Sequence, residues 1–465
     1  MSSKIKAIVA QDVVRPVKKQ RVSLKGSAGT KRGGTPGSVP KAELSKSKAS
    51  TKGKQKETTS LKKSKKATKP AETVLTLPSS FKVVAGTYEK LLYGLEGSTS
   101  FDESKGGLEY HLQPIFAFPA HVSCVKAVSI SPDGGKWLAT GSADEIIKVW
   151  DLRRRKEIGG LMHHEGSITQ LTFPSRSHLM SASEDGILSL FHTRDWAVLR
   201  TLKGHKGHVN SFAVHPSGKV GLSVGKDRTL RMWDLMRGKG SASVKLGKEG
   251  EVVRWSSDGG MFVVQAQKTI DVYTTDMSLL CSITHSSRVH DVKFCKCTVQ
   301  DNESEFLLVA AEDKKVSVYE MASVSNNKRI PAVVAEMTGH SNRVKAVDIL
   351  RISLPPLSQR KSTTVASTIS SDGKVLVYDL ESSLSQASLN KDNVTVILAV
   401  AEYDTKGSRL TCMALGEGEA KSTLGTGKRA RDDDDQDEEE WAPQDLEVEI
   451  EEEGKEYSAS DAEEA

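Results

Sequence analysis

The chain has 465 residues, 37% of them hydrophobic, and a formal charge of +6, a length that would allow two or three ordinary domains. No apolar run approaches the roughly 20 residues that cross a bilayer as a helix, and the N-terminus lacks the apolar core of a secretory signal. Five cysteines (Cys124, Cys281, Cys295, Cys297 and Cys412) form no even, closely spaced framework, and Cys295-Lys296-Cys297 has no second ligand pair for zinc. They read as reduced thiols of an intracellular protein.

Residues 1–70 carry twenty Lys and Arg against Asp12, Glu43 and Glu57, a formal +17, with few apolar residues after Leu24. Such a segment cannot bury enough surface to offset its ordering entropy, so the composition predicts a disordered basic arm. Within it, Lys62, Lys63, Lys65 and Lys66 form a cluster of the nuclear-import or nucleic-acid type. A solubilising, solvated arm is the plainer reading.

Residues 81–95 (FKVVAGTYEKLLYGL) read as two strands round a turn, ending on Tyr93. The stretch 94–120, with Gly106-Gly107, reads as an insertion. Six fuller units follow, closing on Trp150, Phe191, Trp233, Tyr273, Tyr319 and Tyr378. From Trp150 to Tyr319 these aromatics lie 41, 42, 40 and 46 residues apart. Six residues before each aromatic, Tyr93 included, stands a turn position: Thr87, Asp144, Asp185, Asp227, Gln267, Asp313 or Asp372. A histidine stands four residues before an apolar run at His121, His164, His205, His285 and His340.

A unit of roughly 40 residues with a histidine near its start and an aromatic at its finish resembles the WD40 repeat of β-propellers. The resemblance implies an all-β fold, counted as seven blades over 81–416, with six or eight as alternatives. In that family the loop histidine, a middle-strand hydroxyl, the turn aspartate and the tryptophan form one hydrogen-bonded set. His121, Thr140, Asp144 and Trp150 match it, as do His205, Ser223, Asp227 and Trp233. A buried polar group left unsatisfied costs roughly 1–3 kcal/mol, so the set explains its own residue types. Phe191 offers no donor, Val309 replaces a hydroxyl, and the unit ending at Tyr273 has Lys248 and Gln267 for His and Asp. Metal binding or catalysis by these His and Asp residues is the lesser reading, because the structural one accounts for all of them.

After Tyr378 come two apolar runs, Val394–Ala401 and Arg409–Leu415, expected to complete the blade begun by 81–95 and so remove exposed sheet edges. From Asp432 to the end, eighteen Asp and Glu stand against Lys455, a formal −17. The expectation for 417–465 is a disordered acidic tail that binds partners or mimics nucleic acid. Lys428, Arg429 and Arg431 precede it as a second import candidate, and Ser458 and Ser460 resemble acid-directed kinase sites.

Motifs for chemistry are missing. There is no G-x-x-x-x-G-K-[ST], no G-x-S-x-G and no H-E-x-x-H, and the adjacent His163 and His164 are poorly placed to chelate a metal. The reading is a non-enzymatic protein without cofactor or metal. The segments VAGTYEKLLYGLE, KWLATGSADEIIKVWDLRRRKEIGGLMHHEGSITQL and LSVGKDRTLRMWDLMRGKGS are more particular than a generic repeat. They resemble the eukaryotic family of p21-activated-kinase-interacting proteins and fungal Mak-type ribosome assembly factors. That resemblance implies a nuclear and nucleolar scaffold for large (60S) ribosomal subunit assembly and pre-rRNA maturation. Its partners would be preribosomal proteins, with pre-ribosomal RNA held by the basic arm and no membrane, the chain acting as a monomer within a larger complex. A signalling scaffold that restrains p21-activated kinase, or a chromatin adaptor, is the alternative. Partner contacts are expected on the face carrying the aspartate turns, where Arg228, Lys268, Arg288, Lys314 and Arg343 each lie one residue from a repeat landmark. Arg153, Arg154, Arg155 and Lys156, just after a tryptophan-aspartate turn, offer a rival basic surface on the opposite face.

Overall fold

A computed structural model describes residues 77–104, 106–299, 302–321, 331–387 and 394–418. The expectations for the arm 1–70, for both import clusters and for the acidic stretch from Asp432 lie outside these residues. Ser-Pro-Asp-Gly at 131–134 and Asp-Gly at 372–373 reverse the chain between short alternating strands, and the strands assemble into seven sheets, antiparallel but for one added strand. The strand next to the axis in each sheet touches its counterparts in the sheets on either side, all the way round, which makes a seven-bladed β-propeller.

Blades two to five are each continuous in sequence. They begin on the inner strands Val125–Ile130, Ile168–Ser175, Val209–Val214 and Val252–Trp255. Blades six and seven begin on Val289–Val299 and Val344–Ser353. The first blade is composite. Its inner strand, Leu410–Glu417, comes from the far end of the fold and pairs with Ser80–Thr87, setting Val83 opposite Leu415. The run at 409–415 therefore completes the blade begun by 81–95, as expected.

Two stretches are placed differently from the sequence reading. Residues 94–120 are blade rather than insertion: Leu91–Asp102 runs on past Tyr93 and pairs with Gly107–Pro119, the outer strand. Gly106, at φ +61°, supplies the hairpin turn between them. Nor does Val394–Ala401 join the first blade. Thr395–Ile397 pairs in parallel with Val333–Met337 as a fifth strand on blade six, while Ala401–Asp404 forms the outer strand of blade seven. The preceding helix, Leu380–Ala387, diverts the chain there, and Asp379 caps it by accepting the Ser382 N–H at 3.1 Å.

Apolar side chains gather in seven clusters, each shared by two neighbouring blades. Val84, Leu92 and Ala414 of blade one, for instance, meet Val125, Ile130 and Leu138 of blade two. Seven clusters for seven seams leave no open interface. Every Leu or Ile so enclosed contributes roughly 1.5–3 kcal/mol relative to exposure.

Candidate functional site

Loops entering the inner strands and turns joining the two middle strands emerge on one face of the ring. There the expected sets form. His121 reaches Asp144 from Nδ1 at 3.0 Å and Thr140 Oγ1 from Nε2 at 2.8 Å, while the Trp150 indole N–H donates to the same hydroxyl at 3.0 Å. His205 repeats this with Asp227 at 3.0 Å and Ser223 at 2.7 Å, and the Trp233 indole N–H donates to Ser223 at 2.8 Å. His164 joins Asp185 and Ser181 at 2.8 and 2.7 Å, and His340 joins Asp372 and Thr368 at 3.3 and 2.8 Å. One proton pattern satisfies all four, hydroxyl to Nε2 and Nδ1–H to carboxylate, with an indole N–H donating to the hydroxyl in the two tryptophan blades.

That pattern requires a neutral imidazole. Burial pushes His121, His205 and His340 below the ordinary histidine range, only partly opposed by their aspartates. Each aspartate also builds its own turn. Asp144, Asp185, Asp227 and Asp372 accept the N–H two residues on, at 2.8 to 3.1 Å. The following residue is then left-handed: Glu145, Gly186, Arg228 and Gly373 have φ between 58° and 83°.

Two blades depart from the set. In blade five Lys248 fills the histidine slot and pairs with Asp271 at 2.8 Å, itself bonded by the Ser282 hydroxyl at 2.5 Å. An ion pair thus replaces the histidine and the turn aspartate. In blade six His285 and Asp313, expected to pair, do not. Val309 supplies no hydroxyl, so His285 Nε2 turns to Ser317 Oγ at 3.3 Å, and its Nδ1 accepts the Ser287 N–H at 3.2 Å. Asp313 is left 3.8 Å from the ring, both carboxylate oxygens buried without a hydrogen bond.

The five cations singled out for partner contact do share this face. Arg228, Lys268, Arg288 and Lys314 are exposed and Arg343 is half-buried. Arg228 and Lys314 occupy left-handed turn positions. Lys268 donates to the Ser286 carbonyl at 3.2 Å, Arg288 pairs with Glu251 at 2.8 Å, and Arg343 donates to Ser371 Oγ at 3.3 Å. Sequence reasoning missed Arg409, His290 and Lys345, which join Arg288 and Arg343 at the mouth of the central channel. Their signal is an arginine immediately before three successive inner strands, at Val289, Val344 and Leu410. Arg153, Arg154, Arg155 and Lys156 follow the strand Ile147–Asp151, at the end away from its aspartate turn and so on the opposite face.

Among the described residues, no group of three or more His, Cys, Asp or Glu is placed to hold a metal ion, and no helix is long and apolar enough to cross a membrane. The five cysteines are unpaired, and Cys295 and Cys297 lie buried with sulfurs 3.9 Å apart.

The WD domain, G-beta repeat family matches residues 112–151, 155–192 and 196–234. The chain is 34% identical to a "p21-activated protein kinase-interacting protein 1-like" of Danio rerio over 345 residues, 73% of this chain and 82% of that protein. It is 28% identical to Protein MAK11 of Saccharomyces cerevisiae over 370 residues, covering 72% and 83%. With Shk1 kinase-binding protein 15 of Schizosaccharomyces pombe it shares 29% identity over 337 residues, covering 71% and 82%.

Proposed function

Since the chain belongs to the WD-repeat family of p21-activated protein kinase-interacting protein 1-like proteins and MAK11, we propose that it is a non-enzymatic scaffold in large ribosomal subunit assembly. It works in the nucleus and nucleolus, holding preribosomal proteins on the face of its aspartate turns. The observation that carries this reading is the gathering on that one face of Arg228, Lys268, Arg288, Lys314 and Arg343, each one residue from a repeat landmark. Fixed cations on a rigid rim share one field and attract an acidic partner or RNA better than scattered ones do. The sequence adds a +17 arm with Lys62, Lys63, Lys65 and Lys66, suited to nuclear import and to non-specific contact with pre-ribosomal RNA.

Affinity purification of the tagged full-length chain at moderate salt, with its RNA and proteins identified, tests the reading. Large-subunit precursor RNA and its proteins are expected, together with a nucleolar fluorescent fusion. A folded variant with all five cations changed to Glu is expected to lose them. Retention of the preribosome by that variant removes the turn face from the proposal.

The names of the Danio rerio and Schizosaccharomyces pombe relatives favour a second use, binding of a protein kinase. Recovery of a kinase without precursor RNA, from a cytoplasmic or cortical fusion, selects it.

A further inference from the structure

Six of the seven inner strands carry a one-residue bulge directly after their first residue. The extra residues are Lys126, Thr169, Asn210, His290, Lys345 and Thr411, where the pairing with the next strand slips by one. Blade five alone among the inner strands pairs without a slip. A bulge re-aims its side chain, and here that makes the residue available to the neighbouring blade.

Four of the six clip onto that neighbour. Thr169 donates to the Val209 carbonyl at 2.7 Å, Asn210 to the Gly250 carbonyl at 2.9 Å and Thr411 to the Val125 carbonyl at 2.6 Å. Lys126 pairs with Glu184 at 2.8 Å. His290 and Lys345, in consecutive blades, do not. His290 Nε2 is buried without a hydrogen bond, its nearest carboxylate oxygen being that of Glu312 at 3.6 Å. Lys345 is half-buried, and its ammonium makes no hydrogen bond or ion pair among the described residues.

These two vacant donors stand in the cationic sector of the mouth. Arg288, Arg343 and Arg409 enter blades six, seven and one, where the other four blades have Cys124, Ser167, His208 and Glu251. Glu251 is taken by Arg288. Among the described residues neither the Arg343 nor the Arg409 guanidinium makes an ion pair, the nearby Glu89 carboxylate accepting the Arg409 backbone N–H at 3.0 Å. Burial, then Arg343 and Arg409, press Lys345 below the ordinary lysine range, with Glu312 only partly opposing them. Burial and Lys345 likewise hold His290 at about 4. The sector is short of negative charge where its donors are recessed.

We propose that this mouth, between blades six, seven and one, binds an acidic peptide segment of a partner protein. One carboxylate or phosphoserine side chain of that segment inserts among His290, Arg343, Lys345 and Arg409. An anion on a flexible side-chain stem can reach recessed donors. RNA presents its phosphates in a continuous line flanked by ribose, and its bases need open aromatic faces. One face of the exposed ring beside the site, Tyr88, is taken by the Arg409 guanidinium at 5.6 Å. The inference goes beyond the scaffold reading and holds whether the scaffold serves a preribosome or a kinase.

The test is fluorescence anisotropy on the full-length chain near physiological salt, with four labelled probes of about twelve residues. These are a Glu/Asp-rich peptide, the same peptide with a central phosphoserine, its neutral Gln/Asn analogue and a single-stranded RNA. The informative variant combines His290→Asn and Lys345→Thr, since Asn and Thr occupy the same bulge at Asn210, Thr169 and Thr411 and the fold accepts them there. Affinity for one or both acidic peptides is expected to fall about tenfold or more, with the melting temperature unchanged or raised. Lys245→Glu, on the outer strand Lys239–Lys245, is expected to change it less than about twofold. Unchanged peptide affinity in the double variant overturns the proposal, as does a loss confined to RNA. Absence of binding by the intact chain also overturns it. If peptide binding emerges only after residues 432–465 are removed, the occupant is the chain's own acidic end and the partner assignment fails.

Discussion

Thr411 donates its hydroxyl to the Val125 carbonyl at 2.6 Å, joining the last strand of the fold to the first strand of blade two. The Gly86 carbonyl lies 3.0 Å from the same hydroxyl, a second acceptor competing for its single proton. Thr411→Val keeps shape and removes this donor from a half-buried seam. The expected loss is about 1–2 kcal/mol in denaturant unfolding. Truncation before Leu410 is expected to abolish the cooperative transition altogether, because it strips the inner strand from blade one.

Aspartates at equivalent turns should behave in opposite ways. Asp227→Ala removes the acceptor of His205, the Lys206 N–H and the Thr229 hydroxyl, and is expected to cost about 1–3 kcal/mol. Trp233→Ala in the same blade should cost roughly 3–5 kcal/mol through the cavity it opens. Asp313→Asn is expected to be neutral or stabilising, since both Asp313 oxygens are buried without partners. Equal losses at Asp227 and Asp313 in parallel melts would refute the contrast.

Acid should weaken the ring in two stages. Burial works to raise the Asp227 carboxyl, but the Lys206 N–H, the Thr229 hydroxyl and His205 hold it at about 2 against an ordinary 3.8. Its contribution is therefore complete above about pH 4 and is lost as pH falls towards 2. His121, His205 and His340 sit below the ordinary 6.5, so the unfolded chain takes up protons first as pH drops. Stability is expected to decline already below about pH 6.5 and again below 4. Denaturant midpoints at neutral pH, near 5 and near 3.5 check the first stage, and Asp227→Asn should flatten the second.

Arg228 occupies a left-handed position that Gly fills at 186 and 373. A side chain there costs up to about 1–2 kcal/mol in backbone strain. Arg228→Gly is expected to leave the melting temperature unchanged or raise it while weakening partner capture. Lower stability with full capture would assign Arg228 to packing rather than to binding.

The propeller was legible because its hydrogen-bonded sets sit at fixed offsets. Histidine, hydroxyl, aspartate and tryptophan can be recognised without knowing which strand touches which. Where long-range packing decides, local pattern misleads. Gly94 and Gly97 look like breaks in a strand, yet a Cβ at either would lie 2.3 Å from the Phe116 ring or 2.1 Å from the Phe81 ring. The apolar run at 394–401 announces a strand but carries nothing to say which sheet edge receives it. His285 and Asp313 stand at the repeat's offsets without a hydrogen bond between them, because the hydroxyl missing at Val309 leaves the imidazole to turn to Ser317. Rim cations beside repeat landmarks could be placed in advance. His290 and Lys345 could not, since their exposure to the channel mouth follows from a bulge that only strand pairing creates.

The composite first blade sets a delay during protein synthesis. Ser80–Thr87 leaves the ribosome early, but its inner partner begins at Leu410, some 320 residues later. At roughly 5–20 residues per second that interval lasts from about a quarter of a minute to a minute. Throughout it, one edge of the nascent hairpin offers unpaired backbone to whatever strand is near. Such a chain invites chaperone cover, and a premature stop anywhere before the closing strand Leu410–Glu417 would be as damaging as one near the start.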